Sequence, residues 1–450
     1  MERRAASDSF AYSLDALKEI VRDALAHAVA RGATAAEAEA SEATGQNVTV
    51  RRSEVETIEY NRDKGLGVTV YVGKQRGHAS TSDLSGAAVR TAVQAALSIA
   101  RLTASDEFAG LADPELLATE FPDLDLFHPW PIEVEEAIDL ARRCEQAAFD
   151  ADPRVSNSEG ATVSAQQSHF AYGNTHGFLA GYPSSRHTLS CAVIAGKDDN
   201  MQRDDWYSVA RAACDLEPVA QVGAKAGSRA ARRLGARKIG TVQVPVLFEA
   251  TVASSLLGHF VAAVSGGNLY RKQSFLLDSL GKQVFPRFVR IIDDPTVPRG
   301  LASSPFDDEG VATRLRAVVS GGSVQGYFLG TYSARKLGMK STGNAGGNHN
   351  LIMESTGEDF PALLRKMGRG LLVTDLLGQG VNLVTGDYSR GAAGYWVENG
   401  EIAYPVQEVT VAGNLEEMFR HIVAIGTDVL VRGSRCCGSI LLERMTVAGE

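Results

Sequence analysis

Apolar residues recur every three to four positions in "SLDALKEIVRDALAHAVARG", residues 13–32. This spacing predicts an amphipathic helix with Leu14, Leu17, Val21 and Leu25 on one face, Ser13 as its cap and Gly32 as its stop. The period then shortens. "AEAEASEA" (36–43), "QNVTVRRSEVETIEYNR" (46–62) and "GLGVTVYVGKQRGHAS" (65–80) are rich in Val, Thr, Ile and Tyr and read as three strands. A second helix follows over 85–102. Much the same order returns further on. A helix lies between Pro131 and Pro153, strand-like runs cover 155–174, 177–196 and 206–215, and another helix covers 218–234. Residues 11–103 and 131–235 therefore read as two copies of helix, β-meander, helix, repeated in pattern rather than in residue identity. The acidic, proline-punctuated stretch 104–131 reads as their connection.

Near Gly240 the pattern changes. "TVQVPVLFEA" (241–250) reads as a strand, and Thr251 as the cap of the helix after it. Beyond Gly266 the chain is glycine-rich and strand-like. Its clearest hairpin is "GYWVENGEIAYPV" (394–406), turning at Asn399-Gly400. "FPALLRKMG" (360–368) is a short helix with Pro361 in its first turn and Gly368 at its end. The expected fold is α+β: an N-terminal domain, residues 1–239, of duplicated helix–β-meander–helix units, and a C-terminal β-rich domain, residues 240–450, with mostly antiparallel sheet.

Composition narrows the function classes. The 450 residues are 44% hydrophobic and 22% charged, as in a globular chain with a large core. The net charge of −9 argues against a nucleic-acid footprint, which needs clustered Lys and Arg. The basic run "ARRLGARK" (231–238) reads as a solvated helix end. Five cysteines without CxxC spacing suit a reducing cytoplasm. The opening residues lack an apolar core, so no leader is expected. No run approaches 18 uncharged apolar residues, so no membrane span is expected.

One stretch raises a question of chemistry: "LLGHFVAAVSGGNLYRK" (256–272), a helix with a single histidine, His259. A helical metal site needs a second ligand about one turn away and a carboxylate to activate water. Here Ala262 and Ala263 stand one turn on, and the neighbours are Gly258 and Phe260. A lone histidine on an apolar helix is more often structural than a ligand. The adjacent Cys436 and Cys437 read as a strand with one thiol buried. The loop 341–350, with His349, reads equally as a ligand contact or a mobile surface loop. In "GDYSRGAAG" (386–394), Arg390 could grip a carboxylate, though pairing with Asp387 is the plainer reading. "PFDDEG" (305–310) lacks calcium-loop spacing and reads as a solvated turn. No GxSxG elbow occurs.

Longer strings resemble a known family. "SGGNLYRKQSFLLDSLGKQVFP", "PRGLASSPFDDEGV", "YSARKLGMKSTGNAGGNHN" and "GQGVNLVTGDYSRGAAGYWVENGEIAYPVQEVTVAGNLEEM" are similar to the PmbA (TldE) branch of the TldD/PmbA metallopeptidase family. The resemblance implies two related subunits forming a cytoplasmic peptidase. In it the TldD subunit carries a His-Glu-x-x-x-His helix and a cysteine ligand and holds the zinc, which activates water against a peptide carbonyl. It further implies peptide substrates, an antitoxin and a peptide-antibiotic precursor, and a description as modulator of DNA gyrase. Laid on that helix through Leu257, Gly267 and Arg271, this chain has Gly258 and Ala263 at the two histidine positions and His259 at the glutamate position.

The expectation is therefore a partner subunit that shapes the chamber, with no cofactor or metal ligand of its own and with zinc in a TldD-like partner. Alone it could form a homodimer. His259 is the one candidate for a catalytic role. Asn268, Arg271, His349, Asp387 and Arg390, polar and beside glycine breaks, are the candidate substrate or partner contacts. Two alternatives stand beside this: an independently active peptidase using His259 or a cysteine, and a non-enzymatic regulator of a target such as DNA gyrase.

Overall fold

The computed structural model describes residues 10–449, so the reading of a missing leader falls partly outside the described residues. The first unit runs α1 (Leu14–Ala30), β1 (Ala35–Arg51), β2 (Glu54–Val72), β3 (Gln75–Thr81) and α2 (Gly86–Leu102). The second runs α3 (Val134–Ala151), β4 (Val155–Asn174), β5 (Leu179–Ala180), β6 (Pro183–Ala195), β7 (Gln202–Ala210) and α4 (Val219–Arg232). Their strands form one antiparallel sheet in the order β3-β2-β1-β4-β6-β7, with β5 beside β4. The two meanders thus meet back to back at β1 and β4, and the expected duplication is visible in the sheet order itself.

Each unit lays its two helices on the sheet. In α1 the covered stripe is Leu17, Val21, Ala24 and Ala28, spaced to stay on one side of a 3.6-residue helix. Ser13 caps it, accepting from the Ala16 amide at 3.1 Å. Burying side chains of the size of Leu17 or Val21 stabilises by roughly 1.5–3 kcal/mol each.

The β1–β2 boundary differs from expectation. The run 46–62 is not one strand, because the chain reverses at Arg52 and Ser53, with φ of 51° and 64°. Such two-residue turns usually carry Asn or Gly, so no local signal marks this one. A long-range contact holds it. The buried carboxylate of Glu145 on α3 accepts the Arg52 amide at 2.8 Å and the Ser53 amide at 2.7 Å. Beyond the turn, residues 54–64 of β2 pair with β1 alone, since β3 reaches only 66–72. That free edge exposes Val55, Ile58 and Tyr60.

From residue 242 the chain builds two further sheets. The elements are β8 (Val242–Phe248), α5 (Ala250–Ala263), α6 (Gly266–Tyr270), β9 (Ile291–Asp294), β10 (Arg316–Ser320), β11 (Ser323–Val324), α7 (Thr331–Lys336), β12 (Asn350–Met353), α8 (Phe360–Met367), β13 (Gly370–Leu377), β14 (Asp387–Glu398), β15 (Glu401–Asn414), α9 (Leu415–Arg420), β16 (Ile422–Ile425), β17 (Arg435–Cys436) and β18 (Ile440–Ala448). One sheet has the order β11-β10-β9-β12-β17. The other has the order β15-β14-β13-β8-β18-β16 and closes on itself where β15 also pairs with β18. Among the named strands of the described residues, only β12–β17 and β13–β8 pair in parallel. The α+β, mostly antiparallel class is as expected.

The hairpin turns at Asn399-Gly400 as its sequence predicts, and α8 carries Pro361 and Gly368 as read. The cap of α5 is Glu249 rather than Thr251, whose hydroxyl donates to the Glu249 carboxylate at 2.6 Å. That carboxylate also receives Arg229 of α4 at 3.0 Å, and Arg229 reaches Asp204 at 3.2 Å. Burial alone would lower the Arg229 pKa, but Glu249 and Asp204 more than offset it and raise it. Nearby Arg233 bonds Asp375 at 3.2 Å. The basic run is therefore partly engaged in tying the first sheet to the last, not simply solvated.

Candidate functional site

α5 follows β8 into the C-terminal core. Ala253, Leu256, Leu257, Phe260 and Ala263 face inward and pack with Phe248, Phe285, Tyr388 and Phe419. Gly258 and His259 lie at the margin of that stripe, half-buried. Beside them β14 contributes Tyr388 and Arg390. The strand's alternation puts these two on one face, while Asp387 and Ser389 point the other way. Asp387 accordingly meets Thr385 and Asn414, not Arg390. From β17 comes Arg435, whose guanidinium lies on bare Gly258. A Cβ at that glycine would stand 1.9 Å from Arg435 Nη1.

The electrostatics of this cluster are unusual. Burial and then the charges of Arg390 and Arg435 hold the His259 pKa at about 4, so the ring is neutral at neutral pH. Burial pushes the Tyr388 phenol up to about 12, outweighing the opposite pull of neighbouring Arg390, and keeps it protonated. The two rings meet edge to face with centroids 5.9 Å apart. Three polar atoms here are sealed from solvent and make no hydrogen bond of good geometry, His259 Nε2, Tyr388 Oη and Arg390 Nε, although Arg390 lies close enough to Tyr388 for its charge to favour the phenolate. Arg390 donates once, from Nη2 to the Leu376 carbonyl at 3.3 Å.

This set does not fit a catalytic zinc. Zinc sites of this kind gather three protein donors of the His, Glu or Cys type. Here one imidazole stands between two guanidiniums, which oppose a divalent cation by Coulomb's law. Arg435 occupies the space over Gly258, and Ala263 faces the core. Cys436, next on β17, and Cys437 just after it are both buried, and burial raises both thiols. The reading of one buried thiol is corrected to two. Among the described residues, no three His, Cys, Asp or Glu side chains are grouped to hold a metal ion.

The other sequence candidates lie apart from this cluster. Asn268 on α6 donates to the Ala262 carbonyl at 2.8 Å and so closes the end of α5. Arg271 is exposed and packs on Tyr270. His349 is buried in the 341–350 loop, which is a packed element rather than a surface loop. The His349 amide donates to Asp293 Oδ1 at 2.8 Å, and Asn344 donates to Asp293 Oδ2 at 2.9 Å. The 305–310 segment is also not simply solvated. Asp307 is buried and accepts the amides of Glu309, Val311 and Ala345 at 2.9 Å each. Burial nevertheless raises it to about 7.

Sequence reasoning missed a cleft of about 1250 Å³ between residues 121–131, Tyr182 and Phe306. Its walls carry Phe121, Phe127 and Trp130, with Asp123, Glu133 and Glu136 around them. The signal was present in the aromatic and proline spacing of 121–131. Clefts of this kind, apolar with a few polar groups, commonly take ligands.

Three family models cover most of the chain. PmbA/TldA metallopeptidase domain 1 matches residues 36–100, the central domain 127–234 and the C-terminal domain 241–449. Among curated proteins, Metalloprotease PmbA of Escherichia coli O157:H7 is 49% identical over 97% of this chain and 98% of its own length. A Metalloprotease PmbA homolog of Haemophilus influenzae is 47% identical over 97% of this chain and 98% of its own. A Metalloprotease TldD homolog of the same species is 25% identical over 81% of this chain and 79% of its own. Among solved structures, a candidate modulator of DNA gyrase from Bacteroides thetaiotaomicron superposes with a TM-score of 0.91. It is 26% identical, covering 96% of this chain and 99% of that one. The chain belongs to the PmbA/TldD metallopeptidase family.

Proposed function

We propose that this chain is the metal-free subunit of a heteromeric peptidase whose zinc sits in a TldD-like partner. One observation carries the reading: on α5, where the family resemblance sets the metal helix, His259 is flanked by Arg390 and Arg435 and has no further donor. The likeness to both PmbA and TldD proteins supports a pair of related subunits. The chain's own part is to shape the chamber and hold an extended peptide. The unpaired edge of β2 suits strand addition, and the aromatic cleft at 121–131 suits apolar side chains. Its substrates would be peptides such as an antitoxin or a peptide-antibiotic precursor.

The test is reconstitution. The purified chain, a purified TldD-like subunit and their mixture are each assayed on an unstructured peptide. We expect turnover only in the mixture, at least tenfold above the sum of the separate chains. Equal activity in the chain alone would establish the independent-peptidase reading. Recovery of DNA gyrase with this chain, and no activity in the mixture, would establish the regulator reading.

A further inference from the structure

The geometry points to a carboxylate-binding site at the margin of α5, formed by Arg390, Arg435, Tyr388 and His259 and suited to the C-terminal carboxylate of a peptide. A buried donor without an acceptor costs about 1–3 kcal/mol, and native chains keep few of them. Here the donors Tyr388 Oη and Arg390 Nε, and His259 Nε2, which donates in one of its two tautomers, are sealed together with no hydrogen bond of good geometry, and Tyr388 is only 1% exposed. Neither Arg390 nor Arg435 is paired with a carboxylate among the described residues. Two guanidiniums, a phenol and a neutral imidazole therefore lie together with no anion among them.

One carboxylate can accept from the guanidinium and phenol donors, and from His259 Nε2 when the ring carries its proton there. Its two oxygens match the planar fork of a guanidinium, and a protonated Tyr388 supplies a further donor. Arg435 is the accessible member. It is exposed, and it rests on a glycine with no side chain to hold it, so an anion can meet it from solvent. Arg390, half-buried and fixed by Leu376 O, is the inner member. Where a metal-bearing relative would present a cation to a peptide carbonyl, this chain presents cations of its own to an anion. Naming a peptide as the carrier rests on the peptidase reading above, whereas the anion site itself does not.

The test uses the purified chain alone, so its outcome is independent of reconstitution. Binding is measured by calorimetry for an N-acetylated peptide without acidic side chains, with a free C-terminus or amidated, and for inorganic phosphate. The His259 ring resonances report the location. We expect the free-acid peptide to bind and to move those resonances, and the amidated peptide to do neither. Arg435→Gln, at an exposed position, should weaken binding about tenfold, as loss of one charged fork predicts. Tyr388→Phe should weaken it less, with unfolding curves confirming that both variants fold. Equal binding of the amidated peptide, unmoved His259 resonances, or an undiminished affinity in Arg435→Gln would overturn the proposal. Binding of phosphate with none of the free-acid peptide would overturn the peptide assignment.

Discussion

Restoring the family's His-Glu-x-x-x-His pattern on α5, by Gly258→His, His259→Glu and Ala263→His together, is expected to destabilise the chain by about 3 kcal/mol without stoichiometric zinc uptake. The three positions fail for different reasons. Ala263 is fully buried among apolar residues, so an imidazole there both overfills the core and buries a polar ring. Most of the loss should therefore appear in Ala263→His alone. At position 259 a glutamate would meet Arg390 and Arg435 and be taken up in ion pairs, leaving it unavailable as a base. Gly258→His is the mildest, because the obstructing group is the free end of exposed Arg435, which can move aside. Urea unfolding of the single and triple variants, with metal analysis of each, checks the ordering. Zinc at one per chain in a triple variant of undiminished stability would contradict it.

The second large effect concerns the β1–β2 turn. Glu145→Ala is expected to cost about 2–3 kcal/mol, because a buried carboxylate now holds two backbone amides in a turn of unfavourable φ. Glu145→Gln should lose a large part of this too, since its amide nitrogen would set a donor against a backbone donor. Arg142→Ala, which removes a bond from Nε to the Ser53 carbonyl at 2.8 Å on an exposed side chain, should cost much less. Equal losses in all three would mean that the turn is held by α3 packing in general and not by the Glu145 carboxylate.

These two regions also show where the sequence is readable. Helix spacing, the Ser13 cap, the Asn399-Gly400 turn and the duplicated order of elements are local properties, and each appears as read. The turn at Arg52-Ser53 is not local, since its stabilising carboxylate lies more than ninety residues away. The want of a second donor beside His259 is legible because helix geometry fixes which residues share a turn. Alternation along 387–390 would also have separated Asp387 from Arg390 and joined Tyr388 to it. Arg435 could not be placed, because only the closure of β17 beside β12 brings it over Gly258. The burial of Asp307, in a segment read as a solvated turn, and of His349, in a loop read equally as a ligand contact or a mobile surface loop, is not legible because their partners come from other segments.

The most direct test of the central claim is a zinc titration of the purified chain alone at neutral pH, with His259→Ala beside it. No stoichiometric binding and no difference between the two are expected, since Arg390 and Arg435 oppose a cation at this site. One tightly held zinc per chain, lost on replacing His259, would contradict it.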